Sequence, residues 1–167
     1  MPSPTPLTES PTPEPNVDEA IAPTGNNPVT ASAVAVSPDG KQFAAGSYGL
    51  IRRWKTSDRK VLTVIKLKDG YIRDLAYSPD GKFLAAAGYQ RTFLVETATG
   101  KLARALKGQR GQVTGVAFSP DGRLLATSSD DETVHLWNPA DGKPVRVLQG
   151  PRFPVQDVVF SPDGRRI

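Results

Sequence analysis

A chain of 167 residues with 38% hydrophobic and 23% charged content has the balance of a globular domain rather than of a collagen-like or wholly unfolded polymer. It contains no cysteine, which excludes disulfides and thiolate metal sites, and no run of about 18 apolar residues, which argues against a membrane span in this chain. The net charge of +4 is unevenly placed: residues 1–27 hold four acids and no base, leaving 21 basic and 13 acidic residues, or +8, on residues 28–167.

In chain order the first element is a linker. Six of the first sixteen residues are Pro, and Pro, Thr, Ser and Glu prevail up to residue 27. Such a composition cannot bury enough apolar surface to offset the entropy of ordering, so residues 1–27 are predicted to be a disordered Pro/Thr-rich tether to another module or anchor. The start MPSPTPLTES lacks the basic and apolar regions of a signal peptide; the compartment is open, and cytoplasmic if Met1 is the native start.

The remainder is periodic. The tetrapeptide SPDG begins at Ser37, Ser78, Ser119 and Ser161, spacings of 41, 41 and 42 residues. Pro at the second turn position pre-sets φ, Ser can bond the turn backbone, and Gly accepts the left-handed conformation, so each copy reads as a hairpin turn. Alternating runs precede the turns (AVAV, DLAY, GVAF, DVVF) and apolar runs follow the first three (QFAAGS, FLAAAG, LLATSS). Third runs end at Trp54, Val95 and Trp137, turn residues KTSDRK, ETATGK and NPADGK come next, and fourth runs close each unit (VLTVIKL, LARALKG, PVRVLQG). Four short antiparallel strands at this period predict propeller blades. The fold class is therefore all-β: a partial β-propeller of about three four-stranded blades, at residues 28–67, 68–108 and 109–150, plus the first hairpin of a fourth at 151–167.

Residues 111–150, GQVTGVAFSPDGRLLATSSDDETVHLWNPADGKPVRVLQG, resemble a WD-repeat unit over their full length, and residues 28–110 resemble two more divergent units. The resemblance implies a hydrogen-bonded His, Ser, Asp and Trp set tying the loop between blades to the second and third strands. Asp131 and Trp137 match it, with Ser128 or Ser129 as the serine; Trp54 keeps the first unit's Trp, Val95 replaces the second, and Tyr48 replaces the first unit's Asp. The histidine is missing, and Lys68, Gln109 and Pro151 stand in its place. Because a partly buried carboxylate needs a donor, the Gln109 amide is expected to serve Asp131. Three blades leave two apolar end faces, so the missing blades are expected from the rest of a longer chain or from another copy. Arg53, at the place of Leu136, is expected either to pair with a carboxylate or to mark an exposed, irregular first blade.

For catalysis the chain offers little. His135 is the only histidine and has no partner for a triad or a metal shell; Asp130, Asp131 and Glu132 lack the alternation of a calcium loop. The Gly-Lys pairs at 40, 81, 100 and 142 lack the Ser or Thr of a phosphate loop. No catalytic residue, metal or cofactor is expected. Binding is the positive case, because loops between blades and between second and third strands share one face, whose tips hold Tyr48, Asp69, Tyr71, Tyr89, Gln90, Arg91, Arg110, Arg152 and Phe153. Of these Tyr48, Tyr71, Tyr89, Arg91, Arg110, Arg152 and Phe153 are the expected partner-binding residues. The function expected is a non-catalytic protein-interaction scaffold with an unidentified protein partner. The alternative is a regulatory or sensory propeller segment of a larger multidomain enzyme. Nucleic-acid binding through IRRWK and the +8 balance ranks below both.

Overall fold

Each SPDG turn closes through the same hydrogen bonds. The Gly N–H donates to the Ser carbonyl at 2.8–2.9 Å, the Gly adopts φ of +68° to +70°, and the Ser hydroxyl donates to the Asp two residues on. The same carboxylates accept the N–H of Lys41, Lys82, Arg123 and Arg165 at 3.0 Å. The serine hydroxyl first, then that backbone N–H, hold Asp39, Asp80, Asp121 and Asp163 below the ordinary carboxylate value of 3.8. Groups with a depressed folded pKa contribute stability above the unfolded value and lose it as pH falls through the folded one. The melting temperature is therefore expected to fall as the pH drops below about 4, and replacing the four Asp by Asn should flatten that acid limb; an unchanged limb would contradict the assignment.

The computed structural model describes residues 31–150 and 152–167. The expected linker, residues 1–27, and Pro151 lie outside them, as do the side chains of Lys68 and Asp69. Among the described residues ten strands run in order: β1 (Ala33–Val36), β2 (Gln42–Lys55), β3 (Val61–Tyr71), β4 (Leu75–Tyr77), β5 (Phe83–Ala87), β6 (Tyr89–Glu96), β7 (Leu102–Phe118), β8 (Leu125–Ser129), β9 (Thr133–Trp137) and β10 (Pro144–Gln149). Among the described residues there is no helix long and apolar enough to cross a membrane.

All pairings are antiparallel. The order β1-β2-β3 makes one sheet, and β10-β9-β8-β7-β6-β5-β4 makes another. In the first, β2 supplies both the second and third strand positions, reversing near Gly49, with the Phe43 ring stacked on Trp54 at 4.9 Å. In the second, β7 is the outer strand of one blade up to Lys107 and the inner strand of the next from Val113. The fourth unit adds its turn, closed by Ser161 N–H to the Arg166 carbonyl at 2.9 Å, and a preceding segment that forms no ladder among the described residues.

Successive units stack with equivalent contacts, because alternation along each inner strand sends one side chain toward the preceding unit and the next toward the following one. Ile72, Val113 and Val155 each donate their N–H to the preceding unit, at the carbonyls of Ser47, Gly88 and Ser129. Gly81, Gly122 and Gly164 lie over Pro38, Pro79 and Pro120 of the turn before, with a Cβ at those positions 3.4–3.9 Å from the ring. The core is correspondingly three layers between units. Ala44, Ile51 and Ile65 meet Leu75, Leu84 and Phe93; Ala85, Ala87 and Leu94 meet Val116, Leu125 and Trp137; Ala126 and Leu136 meet Val158. Leu75, Val116 and Val158 are 5%, 4% and 7% exposed, whereas Val34, the equivalent side chain of the first unit, is 71% exposed beside Val36. Among the described residues no unit lies in front of that face.

The outer hairpins show one departure. Gly100 and Gly142 take φ of +68° and +76°, and the equivalent residue in the first unit is Arg59 at +57°. A side chain in the left-handed region costs about 1–2 kcal/mol, offset in part by the lower backbone entropy it leaves the unfolded chain. Arg59→Gly is therefore expected to stabilise the first unit by about 0.5–1 kcal/mol in denaturant titration, and a loss would refute this account.

Arg53 follows neither sequence expectation. It is 2% exposed, and its Nη2 donates to the Gln42 amide oxygen at 2.6 Å rather than to a carboxylate. Gln42 and Arg53 replace the apolar pairs Phe83 with Leu94 and Leu124 with Leu136 of the other units. Tyr77, where the next unit has Phe118, completes the polar group. Burial pushes its phenol pKa up, against the pull of the Arg53 guanidinium. Gln42 and Tyr77 line a cavity of about 390 Å³ between the first two SPDG turns.

Candidate functional site

The repeat signature forms in the third unit, with different partners from those expected. The Trp137 Nε1–H donates to the Thr127 hydroxyl at 3.0 Å, that hydroxyl donates to the Gln109 amide oxygen at 2.9 Å, and the Gln109 amide N–H donates to the Thr127 carbonyl at 3.0 Å. Thr127, not Ser128 or Ser129, is thus the hydroxyl of the set. Strand alternation decides it, since Thr127 faces the preceding unit alongside Leu125 while Ser128 faces the other way, onto Thr114 at 2.9 Å. The Ser129 hydroxyl accepts the Asp131 N–H at 3.2 Å.

The expected bond from Gln109 to Asp131 is absent, because the Gln109 amide is committed to Thr127. Asp131 instead accepts the Arg110 N–H at 2.6 Å and both the N–H (3.1 Å) and the hydroxyl of Thr133. Burial pushes its carboxyl up, but the Thr133 hydroxyl and these backbone donors outweigh it and hold the pKa below 3.8. The carboxylate fastens the loop between units two and three to the hairpin of unit three. Trp54 has no such set: Ala45 stands where Thr127 would, as Ala86 does in the second unit. His135 is buried with its ring 5.4 Å from Trp137, and burial pushes its pKa down against the pull of Asp131.

Two of the expected partner-binding residues, Tyr48 and Tyr71, come together, and a third, Tyr89, lies on the next unit against the strand that carries Tyr71. Tyr48 pairs with Tyr71 across β2 and β3, ring edge to ring face at 5.1 Å, and Gly70, next to Tyr71, lies against Tyr89 with a Cβ there 3.8 Å from the Tyr89 Cβ. Their exposures are 65%, 51% and 53%. Arg91 stands two residues from Tyr89, opposite Lys107. Arg110, on the next inter-unit loop, is exposed, and its carbonyl accepts the Gln90 amide at 2.7 Å. Gln90 and Glu132 hold φ of +57° and +70° at the hairpin tips, where Gly49 has +62° in the first unit. Arg152 and Phe153 are exposed on the loop leading into the fourth unit, one loop beyond Arg110.

A polar recess of about 370 Å³ lined by Arg73, Gln112, Thr114, Asp130 and Gln156 opens on the same end of the inner strands. None of these was among the expected binding residues. A signal for them exists in the repeat: the fifth residue before each SPDG is Ser32, Arg73, Thr114 or Gln156, a polar column in an otherwise apolar strand. Part of the column clasps neighbouring units, Ser32 donating to the Ile72 carbonyl and Thr114 to that of Val155. One residue on, Asp74 accepts Leu75 N–H and, in the following unit, Val116 N–H, both at 2.8 Å.

The family model for the WD domain, G-beta repeat, matches residues 22–55, 59–95, 100–138 and 142–167. No curated protein matches the chain. Similar solved structures include that of U3-55K and the crystal structure of the RRP9 WD40 repeats, each with a TM-score of 0.75 and 23% identity. Each match covers 81% of this chain and 44% of the solved one, so the chain spans less than half the length of these neighbours. At that identity the likeness concerns the fold.

Proposed function

Because this chain belongs to the WD-repeat family, we propose that it is a non-catalytic protein-interaction scaffold presenting the loop face with Tyr48, Tyr71 and Tyr89 to a protein partner. The observation that carries the reading is the exposed, ring-to-ring pair of Tyr48 and Tyr71, with the exposed Tyr89 of the next unit beside Gly70. Aromatic rings bury much area at modest entropic cost, and contiguous exposed apolar patches are uncommon on surfaces without a binding role. Arg73, Arg91 and Arg110 on the same end favour a partner with acidic groups around its apolar contact. The uncovered Val34 face supports completion of the ring by further units, from more chain of the same fold or from a second copy.

The test is quantitative capture of a partner by the immobilised full chain. Tyr71→Ser is expected to weaken capture at least about tenfold, the scale of one central hot-spot aromatic. Arg152→Glu and Phe153→Ser, farther along the face, should weaken it less. Equal capture by a folded Tyr48→Ser, Tyr71→Ser, Tyr89→Ser triple variant would end the proposal.

A further inference from the structure

One seam of the stack is polar where the others are apolar. Between the second and third units Phe83, Leu94 and Phe118 pack in the apolar layer, and Leu136 and Phe160 do so between the third and fourth. Gln42, Arg53 and Tyr77 hold the equivalent positions between the first and second units. A polar residue in such a layer is costly unless it finds a partner, so three that converge from β2 and β4 form a polar group of their own. That group opens to the surface. Gln42 and Tyr77 line the cavity of about 390 Å³ between the first two SPDG turns, with Pro38, Pro79 and the exposed Asp39 and Asp80 in its wall.

The guanidinium in this group is short of a counter-ion. Arg53 is 2% exposed, and its Nη2 donates to the neutral Gln42 amide oxygen at 2.6 Å. Its Nε and the Tyr77 hydroxyl are buried and have no hydrogen-bond partner among the described residues. The two lie close together, since the guanidinium draws the phenol pKa down, but not in hydrogen-bonding geometry. Asp39 and Asp80 are committed to their own turns, each accepting its serine hydroxyl and standing 4.0 and 3.2 Å from Lys41 and Lys82. A buried cation facing only a neutral acceptor is costly, and a carboxylate meets the guanidinium fork through shorter and stronger bonds than an amide does.

We propose that this cavity binds a single carboxylate, which displaces the Gln42 amide oxygen from Arg53 and takes the Tyr77 hydroxyl as a second donor. The half-buried Gln42 side chain both lines the cavity and holds the guanidinium, so rotation of that one side chain is the movement that binding requires. Pro38 and Pro79 offer an apolar wall to the group that carries the carboxylate. Asp39 and Asp80 keep their charge to low pH and repel a dianion such as phosphate, whereas one negative charge balances Arg53. A free organic acid and the carboxyl end of a protein chain share this chemistry. The site lies beside the SPDG turns, and it stands or falls separately from the loop-face reading.

The test follows the Arg53 Nε–H and Tyr77 ring signals by NMR of the full chain. N-acetylphenylalanine is expected to shift both saturably, its amide to shift neither, and inorganic phosphate to bind at least about tenfold more weakly than the acid. Acetate separates the sources: with the amide silent, affinity equal to that of N-acetylphenylalanine supports a free small acid, and affinity about tenfold lower supports a chain end. Gln42→Glu supplies the carboxylate from within, so it should melt higher than the native chain and lose the response to acid. The joint variant Gln42→Phe, Arg53→Leu, Tyr77→Phe installs the side chains of the second seam and should fold while binding no acid in calorimetry. Saturable acid binding by either folded variant overturns the proposal, as does equal binding of acid and amide or tighter binding of phosphate. No response of the native chain up to about 50 mM acid, well above the millimolar affinity of a weak site, would show that water alone satisfies the cluster and would overturn it too.

Discussion

Trp137→Ala is expected to lower the stability of the chain by about 3–5 kcal/mol, read as a shift of the urea midpoint. The indole is buried in the layer between the second and third units against Leu106, Val116 and Leu125, and its N–H heads the bond chain through Thr127 to Gln109. Two losses combine: the cavity left by the largest side chain of that layer, and a buried Thr127 hydroxyl deprived of the indole donor. Thr127→Val separates them, since it keeps the volume while stranding the Trp137 and Gln109 polar groups, and should cost about 1–3 kcal/mol. Trp54→Ala should cost less than Trp137→Ala, because Trp54 is only part-buried and Ala45 provides no hydroxyl. Equal costs for the two tryptophans would mean that the third unit has no special role as the anchor of the stack.

Val116→Ser is expected to cost about 2–4 kcal/mol, from lost burial of the side chain and a hydroxyl placed in an apolar layer, whereas Val34→Ser should cost under about 0.5 kcal/mol. The two residues occupy the same position of the same repeat, so propensity and local conformation are matched and only the presence of a preceding unit differs. Binding of a covering unit or copy should raise the Val34→Ser penalty toward that of Val116→Ser. Comparable costs in the isolated chain would show that the Val34 face is already covered.

The repeat made most of the fold legible. SPDG at a period of about forty-one residues marked the corners, and the runs between marked the strands, because a turn that needs Pro, Asp and Gly in fixed order leaves little freedom of placement. The pairing of Tyr48 with Tyr71 is consistent with the same alignment, which sets the end of one unit's outer strand beside its inner hairpin. The bond partners were less legible. Choosing among Thr127, Ser128 and Ser129 depends on which face of β8 each side chain takes, and residue type favoured the serines. The destination of the Gln109 amide depended on two backbone donors at Asp131, Arg110 N–H and Thr133 N–H, which no side-chain pattern announces. Arg53 escaped for a related reason: its neighbour Gln42 lies eleven residues away on the paired half of β2, and Tyr77 comes from the next unit.

The equivalence of the seams has a mechanical corollary. Units one and two are joined through β3, residues 72–74 and β4 as units two and three are through β7, and each seam carries the same kind of backbone bond, Ile72 N–H to the Ser47 carbonyl in one and Val113 N–H to the Gly88 carbonyl in the other. A tensile load would therefore find rupture planes of similar make between successive leaves, each held by an apolar layer and isolated bonds, with the ladders inside each leaf yielding later.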